Sequence, residues 1–243
     1  MRYLFIGFVF VSLLATPAMA TFYDGFAYPD GGLNGQGTWS GNASAAQVAV
    51  ASEKVVVTAG SGLTWAYTPV SANYEADNTI TFAIKLQMVS GDTPDYTNIC
   101  DIIIRPTTGL QQAGWRIQGT QVRGRQGDFT SMSGVQGNKT DWVPLVGNSA
   151  AGTWDLFEVV NDLTALRTYY YVTPAGGSRT QIGDAGNAGL AGSTGIDSVW
   201  MKHVGIGGAD QINVDDVTVT PEPATLILLA LGLMPVLRRR RRA

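Results

Sequence analysis

The sequence predicts an all-β chain built as an antiparallel β-sandwich. Three observations carry this. The stretch "TITFAIKLQMV" alternates strictly, with Ile80, Phe82, Ile84, Leu86 and Met88 set against Thr79, Thr81, Ala83, Lys85 and Gln87. Period two sends the first set to a core and the second to the opposite face. Short apolar runs recur along the chain, divided by Gly, Asn, Asp and Ser, and no long stretch has the three-and-four spacing of an amphipathic helix.

Taken in order, the chain opens with "MRYLFIGFVFVSLLATPAMA". A basic residue at Arg2, an apolar core from Tyr3 to Leu14 and the small-x-small close Ala18-Met19-Ala20 form a secretory signal peptide over 1–20. "VAVASEKVVVTAG" reads as a hairpin turning at Ser52-Glu53-Lys54. "LTWAYTP" then puts Leu63, Trp65 and Tyr67 on one side, and "NICDIIIRP" does the same for Cys100, Ile102 and Ile104. "AGWRIQGTQVRGRQGDF" is a hairpin around Gly119-Thr120, with Trp115, Ile117 and Val122 inward. Arg116, Gln118, Gln121, Arg123 and Arg125 share the other face. "TWDLFEVVND" and "ALRTYYYVT" pair through a turn at Asn161-Asp162. "GDAGNAGLAGSTG" reads as loop, and "SVWMKHVGIGG" and "QINVDDVTVT" close the domain. These make ten to twelve strands without a Pro/Ser-rich linker, hence one domain over 21–220.

The end of the chain, "PEPATLILLALGLMPVLRRRRRA", has no place in a soluble sandwich. Ala224–Leu237 is apolar all round, yet shorter than the ~20 residues of a comfortable transmembrane helix. Arg238, Arg239, Arg240, Arg241 and Arg242 follow, and such charge is retained on the cytoplasmic side of a translocating chain. Pro221-Glu222-Pro223, the apolar run and the arginines together resemble the PEP-CTERM sorting signal of Gram-negative-type bacteria. The resemblance assigns 221–243 to sorting. It implies a short membrane-anchored hydrophobic helix, exosortase as processing partner, and a destination at the cell surface or in the extracellular matrix of biofilm-forming species.

Composition narrows what remains. The whole chain carries −3, but residues 21–220 hold ten Lys plus Arg against eighteen Asp plus Glu, a charge near −8. An acidic domain argues against nucleic acid as a partner, because phosphate binding needs a basic surface. The one cysteine, Cys100, allows no internal disulfide and reads as a small buried apolar residue. Cysteine–histidine catalysis would have only His203 as its base.

The strand order itself resembles the concanavalin A-like (laminin G-like) jelly rolls of bacterial surface proteins. The match rests on Phe22, Asp24, Gly25, Phe26, Trp39, Trp154, Phe157, Tyr169, Gly176, Gly177, Asp215 and Asp216. Three features bear on function. Arg116, Gln118, Gln121, Arg123 and Arg125 present donors suited to sugar hydroxyls or uronate carboxylates; the plain alternative is an ordinary solvent-facing sheet. Of the six tryptophans, at least four are expected in the core, and Trp142, in "KTDWVPLVG", is expected to be exposed and able to stack on a sugar ring. Third, the alternation slips by one residue at Asp215-Asp216, which predicts a bulge. The jelly-roll resemblance implies that Asp215 or Asp216, with Asp24, holds a structural Ca²⁺; the plain alternative is that these aspartates cap turns.

No nucleophile elbow, histidine cluster or phosphate loop is present, and Glu158 is the one glutamate on a central-looking strand. The sequence therefore predicts a non-catalytic exported protein that binds polysaccharide, with a structural or adhesive protein-binding role as the alternative and polysaccharide hydrolysis as a remote one. N-terminal sequencing of the exported protein is expected to begin at Thr21; material still beginning at Met1 would refute the signal peptide.

Overall fold

In a computed structural model the chain is described over residues 22–58, 61–73, 79–90, 99–108, 112–127, 139–206 and 211–221. Residues 1–20, expected to be a signal peptide, and Glu222, Pro223, the apolar tail and Arg238–Arg242 lie outside the described residues. Among the described residues no helix is long and apolar enough to cross a membrane.

Among the described residues sixteen strands, several of them two or three residues long, make up the fold. In chain order they are β1 (Phe22–Asp24), β2 (Gly31–Gly32), β3 (Ser40–Gly41), β4 (Val48–Val50), β5 (Val55–Thr58), β6 (Ser61–Asn73), β7 (Thr79–Ser90), β8 (Ile99–Pro106), β9 (Gln112–Gln118), β10 (Gln121–Gly127), β11 (Val143–Pro144), β12 (Asp155–Asp162), β13 (Arg167–Thr173), β14 (Thr180–Gly186), β15 (Gly195–Ile206) and β16 (Gln211–Pro221). Among the described residues one 3-10 turn, Ala188–Leu190, interrupts them.

The strands form two antiparallel sheets packed as a jelly-roll sandwich. Sheet A runs β14-β13-β12-β7-β16-β5-β4-β2, with β1 also paired to β16. Sheet B runs β11-β10-β9-β8-β15-β6-β3. Chain neighbours such as β6 and β7 fall in different sheets, which is why the core is assembled from residues distant in sequence.

The inner faces follow the predicted alternation. Ile80, Phe82, Ile84 and Leu86 of β7 are fully buried, as are Phe157 and Val159 of β12 and Val214, Val217 and Val219 of β16. Across from them stand Ile102 and Ile104 of β8, Trp115 and Ile117 of β9 and Val122 of β10. Trp115 meets Phe157 edge-on at 5.0 Å between centroids and Tyr170 at 5.4 Å, so three rings from both sheets interlock. Gly124 makes room for this: a Cβ there would lie 2.3 Å from the Tyr170 ring.

Local geometry bears out two predicted turns. Ser52 and Glu53 both have positive φ (53° and 59°), as an I′-type hairpin turn requires, and Ala51 N donates to Lys54 O at 2.9 Å. Gly119 (φ 56°) turns β9 into β10. Two expectations need correction. Asn161 and Asp162 are still paired, with Thr168 and Arg167, so the turn falls at residues 163–166, where Asp162 Oδ1 accepts from Ala165 N. The expected loop at 183–195 begins as strand: Thr180–Gly186 is the edge strand β14, whose glycines obscured it in the sequence.

The phase slip at Asp215-Asp216 is a bulge. The β16–β7 register shifts between Asp215 and Thr218, and Asp216 has φ 46°, in the left-handed region. This lets Val214 and Val217 both point into the core.

Ile84→Ala is expected to cost about 2–5 kcal/mol, the range for truncating a fully buried aliphatic side chain. Lys85→Gln, one residue along on the outer face, should cost about 1 kcal/mol or less, because its ion pair with Asp216 is partly exposed. Urea unfolding followed by tryptophan fluorescence checks both, and equal losses would mean that β7 is covered on both faces. Lys85→Asp, which the alternation alone marks as harmless, would set a third carboxylate beside Asp215 and Asp216.

Candidate functional site

The outer face of sheet B gathers the chemistry. Strand pairing aligns its outward residues in two cross-strand rows. The first reads Arg123 (β10), Arg116 (β9), Asp101 (β8), Lys202 (β15), Trp65 (β6). The second reads Arg125, Gly114, Ile103, Trp200, Tyr67 on the same strands. Arg105 stands one row further along β8, opposite Ser198. Arg116, Gln118, Gln121, Arg123 and Arg125 thus do share one face, as the hairpin predicts.

Their roles differ. Arg116 is 8% exposed and donates through Nε and a terminal nitrogen to both carboxylate oxygens of Asp101, each at 2.6 Å. A buried bidentate pair of this kind fixes the centre of the face and commits Arg116 to holding Asp101. Arg123 lies over the Trp142 ring, 4.2 Å from its centroid. Trp142 is therefore half-buried under a guanidinium and not a bare platform. Burial, and then the nearby charge of Arg116, pull the Arg123 and Arg125 guanidinium groups below their ordinary range; both remain cations.

The exposed aromatic surface is elsewhere on this face. Tyr67 and Trp200 stack with centroids 4.6 Å apart and planes 18° off parallel. Trp65 leans on both, at 5.7 Å from Tyr67 and 5.4 Å from Trp200. All three are half-buried. Trp200 Nε1 donates to Ser198 Oγ at 2.9 Å, and Lys202 Nζ lies 5.2 Å from the Trp200 ring. The expectation of four core tryptophans fails: only Trp39 and Trp115 are fully buried. Aromatics in β6 look like core residues by hydropathy. The inward positions of that strand are instead Thr64, Ala66, Thr68 and Val70, small side chains beside a core whose bulk comes from Phe26 and Trp39.

The signal for the missed residues was present. "NICDIIIRP" with Cys100, Ile102 and Ile104 inward leaves Asp101, Ile103 and Arg105 outward. "SVWMK" with Val199 and Met201 inward leaves Trp200 and Lys202 outward. Cys100 is buried and burial pushes its thiol up, so it stays protonated and unreactive.

Glu158 lies on the outer face of sheet A, where its carboxylate accepts from Arg179 Nε at 2.7 Å, and Arg179 covers the Tyr171 ring at 3.6 Å. It is on the opposite side of the sandwich from the arginine and aromatic rows.

The proposed calcium ligands are adjacent but engaged. β1 does lie beside β16, with Asp24 opposite Val217. The Asp24 carboxylate accepts from Phe26 N at 2.8 Å, Tyr28 hydroxyl at 2.9 Å and Trp39 Nε1 at 2.7 Å. It is a buried hub for the first loop. Asp216 accepts from Tyr23 hydroxyl at 2.7 Å and from Lys85 Nζ, and Asp215 accepts from Asp216 N at 2.8 Å. Burial pushes Asp216 up, but the Lys85 and Tyr23 hydrogen bonds outweigh it and hold the carboxyl below its ordinary value. Burial, and then the Asp216 charge, raise Asp215. Among the described residues no group of three or more His, Cys, Asp or Glu side chains could hold a metal. Asp24, Asp215 and Asp216 do not fit a calcium ion in this arrangement: the cation beside Asp216 is the Lys85 ammonium.

Two outcomes follow. Asp101→Asn should cost about 3 kcal/mol in urea unfolding, because it leaves the buried Arg116 guanidinium without its counter-charge; replacing both residues by apolar ones should recover most of the loss. Melting temperatures in calcium and in chelator should coincide, and a clear drop in chelator would restore the ion to this end of the sandwich.

Comparison with known proteins places both parts of the chain. Residues 219–242 match the family model of the PEP-CTERM protein-sorting motif. No curated protein matches the chain. The sandwich is similar to an endo-1,3-β-glucanase from Streptomyces sioyaensis, with a TM-score of 0.62 and 12% identity over 85% of this chain and 98% of that one. It is similar to a non-specific endo-β-1,3(4)-glucanase from family GH16 (TM-score 0.56, 13% identity, 85% and 93% covered). It is also similar to lectin II from Ulex europaeus (TM-score 0.52, 9% identity, 84% and 99% covered). These likenesses overturn the expectation of a non-catalytic chain: the sandwich has the fold of endo-glucanases, and a missing local motif does not exclude hydrolysis on it. The motif marks the chain for export and for membrane anchoring ahead of exosortase processing in a Gram-negative-type envelope. The chain is thus an exported protein that carries a PEP-CTERM sorting motif behind a concanavalin A-like jelly-roll sandwich.

Proposed function

We propose that the sandwich engages polysaccharide on the outer face of sheet B, at the cell surface or in the extracellular matrix once exosortase has processed the tail. The observation that carries this is the Trp65–Tyr67–Trp200 group. Three half-buried rings stand on a rigid sheet with hydrogen-bonding side chains in the same cross-strand rows. Aromatic rings in this setting offer apolar area at low entropic cost and take the C–H face of a sugar, while guanidinium and amide donors take its oxygens. The glucanase and lectin likenesses support the reading at the level of fold.

The test is retardation of the exported protein in gels that contain polysaccharide, with reducing ends measured in the same samples. Trp200→Ala and Tyr67→Ala should each weaken retention by about 1 kcal/mol, roughly fivefold. Release of reducing ends would place a hydrolytic step on the same face. Retention unchanged in both variants would overturn the assignment of the site, and no retention on any polysaccharide would overturn the function.

A further inference from the structure

The residues 21–220 are acidic overall, yet one face of the sandwich is not. Of their ten Lys and Arg, five lie on the outer face of sheet B: Arg105, Arg116, Arg123, Arg125 and Lys202. The central carboxylate among them is Asp101, which the Arg116 fork neutralises. Concentrating these cations costs mutual repulsion, which adds to the larger effect of burial in holding Arg123 and Arg125 below their ordinary range.

Two of these cations are committed to no carboxylate among the described residues, although Arg123 also lies over the Trp142 ring. Arg105 and Arg123 make none of the ion pairs found among the described residues, and each has a buried Nε without a hydrogen-bond partner. Arg105 flanks Trp200 on the neighbouring row, and Arg123 lies four strands from Trp65 in the same row. At about 4.8 Å per strand that separation is roughly 19 Å. The sheet thus offers an aromatic platform at one end and guanidinium groups both beside it and across from it.

Resting on the polysaccharide reading, we propose that the ligand is polyanionic: a glycan whose repeating carboxylates, as in a polyuronate, lie against Arg105, Arg123, Arg125 and Lys202 while a ring stacks on Tyr67–Trp200. Charge complementarity selects this class over a neutral glucan. Guanidinium groups match carboxylates with paired hydrogen bonds, and a cationic face on an acidic body orients an incoming polyanion.

The experiment compares polygalacturonate with the same polymer after its carboxyl groups are reduced to alcohols, using the exported protein. Polygalacturonate is expected to bind at least tenfold more tightly, and its binding should weaken as salt rises past physiological ionic strength. The double variant Arg105→Gln, Arg123→Gln leaves the Asp101–Arg116 pair intact. It should lose roughly fivefold per guanidinium on polygalacturonate and keep its affinity for the reduced polymer. Trp200→Ala should weaken both polymers. Equal binding of the two polymers, or a double variant that keeps its preference, would overturn the polyanion assignment while leaving polysaccharide binding in place. Binding to vesicles of acidic phospholipid in place of polygalacturonate would also overturn it. Failure to bind either polymer would instead remove the reading on which it rests.

Discussion

The fold turns on Trp115. Its indole is fully buried between the sheets and touches Phe157 and Tyr170, one from each of two adjacent strands of sheet A. Packing a ring of that size between sheets about 10 Å apart needs a gap on the next strand, which Gly124 supplies. Tyr170 then closes the contact by donating its hydroxyl to Arg125 O at 2.8 Å. With Trp115 inward, the alternation of β9 and β10 has no freedom left. Arg116, Arg123 and Arg125 must face out, since a one-residue slip would bury three guanidinium groups and expose the indole.

Buried carboxylates play the complementary part, tying irregular segments to the strands. Asp24 satisfies a backbone amide, a phenol and an indole in the first loop. Asp155, fully buried at the start of β12, accepts from Val146 N, Gly147 N and Ala175 N and so joins two loops. Each carboxylate is acceptable in the interior because every oxygen meets a donor. Asp101 does for the sheet surface what these do for the loops, with a guanidinium in place of amides. Three of the acidic residues, Asp24, Asp101 and Asp155, are therefore framework.

β16 links the two halves of the chain's biology. It is hydrogen-bonded to β7 and β5, and β1 pairs with it past the bulge. The sorting motif begins at residue 219, so Val219 and Pro221 belong both to the motif and to the buried end of this strand. No linker separates the sandwich from the sorting signal. Folding of the last strand and presentation of the tail share residues.

The sequence alone determined the all-β class, the strongest strands, two hairpin turns, the bulge at Asp215-Asp216 and the face on which five of the candidate residues lie. These are local matters of period-two hydropathy and turn chemistry. The sorting tail was equally legible, because it is a contiguous string. The tertiary structure decided what required residues far apart in the chain. Trp65, Tyr67 and Trp200 form one platform only because β15 pairs with β6. Arg116 is a framework residue only because β8 sets Asp101 opposite it. Asp24 and Asp216 meet protein donors because Trp39, Tyr28 and Lys85 reach them from other strands and loops. Hydropathy assigned the β6 aromatics to the core, and only the sandwich, already filled there by Phe26 and Trp39, turned them outward. A side chain's periodicity gives its face; which neighbours share that face is set by strand order, and strand order is a property of the whole sheet.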